Sequence, residues 1–102
     1  MKIVRVTYTT NAVYSVTNKA NISAVMSELQ KMNVPGINYH VCVSSDDKSF
    51  THTAFFKSDE DECILLELPL FKNFQQQLKA SMPEVGPKQE LLSLVGSSKA
   101  IF

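Results

Sequence analysis

The sequence lacks tryptophan, has a single arginine, Arg5, and carries no net charge, because 10 Lys and Arg balance 10 Asp and Glu among its 102 residues. This balance argues against a nucleic-acid partner or binding to a charged membrane surface. There is no long apolar run and no signal-like start, since Arg5 and Thr7 interrupt the first hydrophobic stretch. Two cysteines in such a chain are typical of free thiols, and we expect a cytoplasmic protein.

Several functional motifs are also absent. The sequence has no P-loop, no G-x-G-x-x-G, no C-x-x-C and no G-x-S-x-G, so nucleotide, redox-pair and hydrolase interpretations lack support. What is present is a 44% hydrophobic composition, which is enough for a core without a metal or disulfide. The length suits one domain over residues 1–102.

The first half of the chain changes from strand to helix periodicity. Ile3–Thr9 is rich in β-branched residues and predicts a strand. A polar loop is expected as far as Asn18, and a helix from about Lys19 to the Val34-Pro35-Gly36 stop, with Asn18 or Asn21 as its cap.

The second half predicts a hairpin, two helices and a last strand. Ile37–Ser45 and Phe50–Lys57 are separated by too few residues for a crossover, so they must pair antiparallel. Ser58 opens a helix that ends near Leu68, and a second helix begins at Pro69. Gln89–Val95 favours a final strand. The order β-α-β-β-α-β predicts a ferredoxin-like α+β fold, with a four-stranded antiparallel sheet and its helices on one face.

The hairpin alternation divides the sheet into two faces. Pairing around a two- or four-residue loop at Asp47-Lys48 places His52 on the helix-covered face, among apolar residues. The opposite face is semi-polar, and it combines these residues: Ile3, Arg5, Thr7, His40, Cys42, Thr53 and Phe55. A hairpin loop of odd length would instead bring His52 beside His40. Because a sheet with helices on one side must hide or solvate the other side, we predict a homodimer with a small-molecule chamber between two sheets.

The chain resembles the dimeric α+β barrel superfamily, which includes the antibiotic-biosynthesis-monooxygenase-like proteins. The resemblance spans nearly the whole chain and rests on the element order, on the strand Phe50–Phe56 that leads into an acidic helix start, and on the stretch Leu66–Gln75. It implies a ferredoxin-like dimer, in a superfamily that contains cofactor-independent monooxygenases, haem-degrading enzymes, lactone isomerases and members without known activity. Haem degradation is disfavoured, because the chain has no Trp and no His in its predicted helices.

His40 is the first candidate for a catalytic base or hydrogen-bond donor in the chamber, against the alternative of a structurally satisfied histidine. Arg5 is the candidate for binding a ligand anion, or for an ion pair across the dimer. The other predicted ligand-binding residues are Thr7, Cys42, Thr53, Phe55 and, in the alternative register, His52.

Metal binding has little support, since His40 and Cys42 share a face without a third ligand and zinc needs about three or four. We therefore expect no metal and no cofactor. The acidic run Asp59–Glu62 is read as a solvated helix start, which disfavours a nucleophilic role for Cys63.

Three functional hypotheses follow. The first is a homodimer that binds an unidentified small organic ligand. The second is a cofactor-independent monooxygenase for an electron-rich aromatic substrate, with His40 as the base and Arg5 stabilising the anion. The third is a structural dimerisation module without a ligand.

Overall fold

A computed structural model describes residues 1–102. Its elements are β1 (Lys2–Thr9), α1 (Tyr14–Met32), β2 (Ile37–Val43), β3 (Ser49–Phe56), α2 (Asp59–Glu67), α3 (Pro69–Ala80) and β4 (Val85–Leu92). The four strands form one antiparallel sheet in the order β2-β3-β1-β4. The buried cluster joins one face of this sheet, the inner face, to the helices. The ferredoxin-like fold predicted from the element order is confirmed.

The break between α2 and α3 follows local chemistry. Ser58 accepts a hydrogen bond from the Asp61 backbone N–H, and the Asp61 side chain accepts one from the Ser58 N–H, which forms a capping box. Pro69 occupies the first turn of α3, where its missing N–H has no helical partner to lose. The helix ends predicted at Leu68 and Pro69 are confirmed.

The start of α1 differs from the sequence prediction. The helix begins at Tyr14, five residues before Lys19, and neither Asn18 nor Asn21 caps it. The Asn11 side chain instead accepts a hydrogen bond from the Tyr14 backbone N–H at 2.7 Å. Asn18 lies inside the helix and is fully buried. The prediction of a loop up to Asn18 is wrong because Ser15 and Asn18 are buried in the helix and donate to the Asp47 carbonyl and the Tyr8 hydroxyl rather than to solvent.

The last strand also lies earlier in the chain than Gln89–Val95. β4 begins at Val85, and its pairing with β1 shifts register between Thr7 and Thr9. Pro87 lies at this irregularity on an edge strand, where a residue that cannot donate a ladder hydrogen bond is tolerated. The prediction started the strand after Pro87, whereas the structure accommodates the proline within it.

The hairpin has the face assignment that alternation predicts, although its pairs are displaced by two residues along the strand. Val41 pairs with His52 and Tyr39 with Ala54. The Ser44 N–H donates to the Ser49 carbonyl at 2.8 Å and closes a four-residue loop. His52 therefore lies on the inner face, and the alternative register that would place it beside His40 is wrong.

One close approach holds α2 at the start of β2. A Cβ on Gly36 would lie 2.1 Å from a carboxylate oxygen of Asp61, the residue that completes the capping box. The Gly36 carbonyl accepts from the Lys57 N–H at 2.9 Å. A side chain at position 36 would therefore require the Asp61 carboxylate to move.

Candidate functional site

A cavity of about 720 Å³ lies between the inner face of the sheet and helices α2 and α3. Its lining is mainly apolar, with 11 hydrophobic residues among 19, and it also contains polar groups, as is usual for small-molecule sites. The strands contribute Lys2, Val4, Val6, Tyr8, Tyr39, His52, Ala54, Phe56 and Gln89, and the helices contribute Glu62, Leu65, Leu66, Phe71, Phe74, Gln75, Leu78 and Lys79. Pro83 and Pro87 complete the lining. The cavity is therefore formed by one chain alone.

The floor of the cavity is a chain of hydrogen bonds centred on His52, which is only 5% exposed. Its Nε2 lies 2.6 Å from the Tyr8 hydroxyl oxygen, and its Nδ1 lies 2.6 Å from the Tyr39 hydroxyl oxygen. Asn18, on α1, donates from Nδ2 to the Tyr8 oxygen at 2.9 Å. Four side chains from three strands and a helix therefore form one connected network.

The direction of this network follows from its first donor. Because Asn18 donates to the Tyr8 oxygen, the Tyr8 hydroxyl hydrogen is free to donate to His52 Nε2. A neutral His52 then carries its hydrogen on Nδ1 and donates to the Tyr39 oxygen. The Tyr39 hydroxyl hydrogen remains available to a molecule in the cavity. Rotating the Asn18 amide by half a turn would reverse every donor, and Tyr39 would then offer a lone pair.

Asn18 is the unusual member of the chain. Its Oδ1 is buried and has no hydrogen-bond partner. Such an orphaned acceptor costs about 1–3 kcal/mol relative to a satisfied one. The amide nevertheless occupies the position from which it donates to Tyr8.

Burial keeps the network uncharged near neutral pH. Desolvation lowers the pKa of His52 to about 4. Desolvation also raises the pKa of the Tyr8 and Tyr39 hydroxyls above the ordinary value for tyrosine. All three groups therefore present hydrogen-bonding atoms without a net charge, which suits an apolar ligand that has one polar atom.

Aromatic rings surround the network. The His52 ring centroid lies 5.3 Å from that of Phe74, and Phe71 meets Tyr39 edge to face at 6.3 Å. Tyr8 stacks on Phe50 at 5.4 Å. These contacts hold the rings at the separations that aromatic pairs prefer. Flat aromatic walls of this kind would suit a flat, apolar molecule.

The residues predicted from sequence as a site lie on the other face of the sheet, the outer face. Arg5, His40 and Cys42 are exposed in the protomer, and Thr7, Thr53 and Phe55 are partly exposed. Arg5 pairs with Thr53, which in turn pairs with His40, so these three form one cross-strand row. Thr7 and Cys42 flank Thr51 in the next row. None of these six residues lines the cavity.

His40 also borders a groove of about 750 Å³ between α1 and edge strand β2. The end of the chain reaches this groove, and the Asn38 side chain donates to the Ile101 carbonyl at 3.3 Å. At the same end of the sheet, Ile3 is buried although it points to the outer face. The outer face is therefore open at the Arg5 row and closed at the Ile3 row.

Sequence reasoning missed Tyr8, Tyr39 and Asn18 as functional candidates. Alternation along β1 and β2 puts Tyr8 and Tyr39 on the same face as His52, but a face covered by helices is expected to be core. The sequence does contain a signal for this network: two tyrosines and a histidine share an otherwise apolar face. Their polar atoms need hydrogen-bond partners when buried, so they are expected to bond to one another. Asn18 carries no such signal, since the sequence predicts it at the end of a loop, as a candidate helix cap.

No three His, Cys, Asp or Glu side chains lie close enough together to hold a metal ion. None of the three helices combines the length and the hydropathy that a membrane crossing requires.

Comparison with known proteins gives a likeness in structure only. No protein-family model matches the chain, and no curated protein matches it significantly in sequence. An antibiotic biosynthesis monooxygenase superposes with a TM-score of 0.78 at 11% identity, over 94% of this chain and 100% of that one. Rv0793 from Mycobacterium tuberculosis superposes with a TM-score of 0.77 at 12% identity, over 96% and 98%.

A third solved structure is SnoaB from Streptomyces nogalater, which is described as a cofactor-independent oxygenase. It superposes with a TM-score of 0.67 at 14% identity, covering 97% of this chain and 96% of that one. The three superpositions cover nearly the whole of this chain and of each neighbour. The resemblance seen in the sequence is confirmed at the level of the fold, and the chain has the ferredoxin-like fold of the antibiotic-biosynthesis-monooxygenase-like proteins.

Proposed function

We propose that the protein binds a small, largely apolar organic molecule in the cavity between its sheet and helices, with a ligand oxygen bonded to the Tyr39 hydroxyl. The observation that carries this proposal is the His52 network on the floor of a 720 Å³ aromatic cavity. A core that only needed packing would satisfy this volume with apolar side chains.

The network supports binding in two ways. It holds the Tyr39 hydroxyl in one position, because this hydroxyl bonds to His52 Nδ1. The other ring nitrogen, Nε2, bonds to Tyr8, and Tyr8 bonds to Asn18, so the His52 ring is fixed in turn. It also adapts to a donor or an acceptor, since the proton order along the chain can reverse. A hydroxyl or carbonyl on an aromatic ring meets both requirements.

Binding is tested with 2-naphthol, a fluorescent probe that has a flat apolar body and one hydroxyl. We expect saturable binding, which Tyr39→Phe weakens about fivefold to tenfold because one hydrogen bond is worth about 1 kcal/mol. Tyr14→Phe is the matched control, because the Tyr14 hydroxyl has no partner and does not line the cavity. Equal losses in both variants, or no binding to the wild type, would count against the proposal. The absence of binding would favour the structural module.

A cofactor-independent oxygenase is the second candidate. It is supported by the fold shared with SnoaB and by a neutral histidine in contact with the cavity through Tyr39. In the reversed proton order, the substrate's phenolic proton would pass through Tyr39 to His52 Nδ1, and the substrate anion left behind would be electron-rich enough to react with oxygen. The low pKa of His52 opposes this transfer, so the anion would form only in contact with the imidazolium that stabilises it. Oxygen uptake with a dihydroxynaphthalene, lost in His52→Leu and retained in His40→Leu, would support this activity and place it in the cavity.

For the candidate residues predicted from the sequence, we propose a different site. They would lie between two copies of the chain that form a homodimer through their outer faces. Arg5, Thr53 and His40 would line a chamber between the two sheets, and His40 would then be the base. Uptake that is lost in His40→Leu and retained in His52→Leu would place the reaction there. Sedimentation velocity tests the dimer itself, and a monomer at micromolar concentration would exclude this chamber.

A further inference from the structure

The charges around the cavity are unequal at its two ends. Of all the residues that line it, only Lys2, Glu62 and Lys79 carry a charge at neutral pH. Lys2 Nζ lies 2.9 Å from Glu62 Oε1, so these two side chains neutralise each other. Lys79 has no carboxylate within ion-pair distance, and all four of the protein's ion pairs form elsewhere.

The sequence of α3 leaves Lys79 unpaired. Partners on the same helix surface would lie three or four residues away, and the residues at those positions are neutral: Gln75, Gln76, Met82 and Pro83. Across the cavity, β4 offers Gln89 and Pro87. Lys72 on the same helix is different, because it pairs with Glu67 at 3.0 Å.

The free lysine and the neutral pair mark opposite ends of the cavity. Asn11, just after β1, donates to the Ser81 carbonyl at 3.3 Å and so holds the end of α3 beside the end of β1. Lys79 is therefore at the Tyr8 end of β1, whereas Lys2 is at the start of that strand. Lys2 and Tyr8 are six positions apart in the strand, which corresponds to about 20 Å.

We propose that the ligand is an aromatic carboxylate, with its anionic end at Lys79, its ring over Phe74 and its second oxygen at Tyr39. This inference rests on the proposed function and adds the charge and orientation of the molecule bound. The ammonium at the rim attracts the carboxylate, and the uncharged floor accepts only a neutral oxygen. The ligand enters with its neutral end toward the floor and keeps its charge near solvent, where desolvation costs least.

The test compares three molecules of the same shape: 6-hydroxy-2-naphthoate, its methyl ester, and 6-hydroxy-2-naphthylmethylamine. With the wild type we expect the carboxylate to bind about threefold to fivefold more tightly than the ester, which is the size of a partly exposed charge pair. The difference should shrink as salt is raised.

The variants separate charge from shape. Lys79→Gln should bind the carboxylate and the ester equally, and Lys79→Glu should prefer the amine. Lys72→Gln is the matched control, since it removes the same charge from the same helix outside the cavity, and the carboxylate preference should persist. Thermal melting of each variant confirms that it is folded.

The possible failures are distinguishable. If the ester binds the wild type as tightly as the carboxylate, the Lys79 inference is overturned and the proposed function stands. If Lys79→Gln weakens binding of the carboxylate and of the ester by the same factor, Lys79 affects binding through the shape of the site and not through its charge. The inference is then also overturned. If none of the three molecules binds, the proposed function fails first.

Discussion

The two faces of the sheet hold the same residue types in opposite environments. His52 on the inner face is 5% exposed, and both of its ring nitrogens are bonded to tyrosine hydroxyls. His40 on the outer face is exposed, and its ring lies 6.2 Å from that of Phe55. Desolvation lowers the pKa of the inner histidine to about 4.

The difference shows how burial turns a polar residue into a constrained one. A side chain in water exchanges partners at little cost, whereas a buried one must be satisfied by named neighbours. The inner face thus selects one arrangement of Tyr8, His52 and Tyr39. The outer face leaves Arg5 and His40 to be organised by whatever covers them.

The largest contrast between the faces is expected from their phenylalanines. Phe74→Ala removes a buried wall of the cavity and should lower the free energy of unfolding by about 3–5 kcal/mol. Phe55→Ala on the outer face should cost a monomer about half of this or less, because the ring is partly exposed. Urea titration of both variants measures the difference. Equal losses would show that the outer face is as closely packed as the inner one, as in a dimer.

The next contrast is in pH dependence. Below about pH 6.5 the unfolded chain protonates His52, whereas the folded chain stays neutral until its pKa of about 4. Stability attributable to this group is therefore complete above pH 6.5 and falls by about 3 kcal/mol as the pH drops to 4. His52→Leu should remove this component, and His40→Leu should leave it intact. Carboxyl protonation is common to both variants and cancels between them.

A smaller effect is expected at Asn18. Asn18→Leu removes the donor to Tyr8 and also the orphaned Oδ1, so the net loss of stability should be only about 1 kcal/mol. The His52 tautomer should respond more than stability does, because the network then has no fixed direction. ¹⁵N chemical shifts of the His52 ring report the change. An unaltered tautomer would show that Asn18 does not set the proton order.

The smallest effect is expected from Arg5→Ala. An exposed arginine without an ion pair contributes within about 0.5 kcal/mol to a monomer. If sedimentation shows a dimer, the same substitution should instead weaken association. A variant that alters neither stability nor self-association would remove Arg5 from further consideration.

The fold was predictable because its signals are local. Alternation in Phe50–Phe56, the capping box at Ser58 and the proline at 69 each specify an element within a few residues. The site was predictable only in part. Alternation predicts His52 on the inner face, but nothing local reveals that a cavity remains between this face and helices α2 and α3.

The amino-acid sequence alone determined the element order, the two faces of the sheet and the absence of a partner for Lys79 within one turn of its helix. These depend on spacing of two, three or four residues, which the backbone geometry of strands and helices imposes. Tertiary structure decided that Asn18, Tyr8, His52 and Tyr39 meet, because their contacts span up to 44 positions in the chain. Such contacts exist only once the helices have closed over the sheet and excluded water from the groups between them.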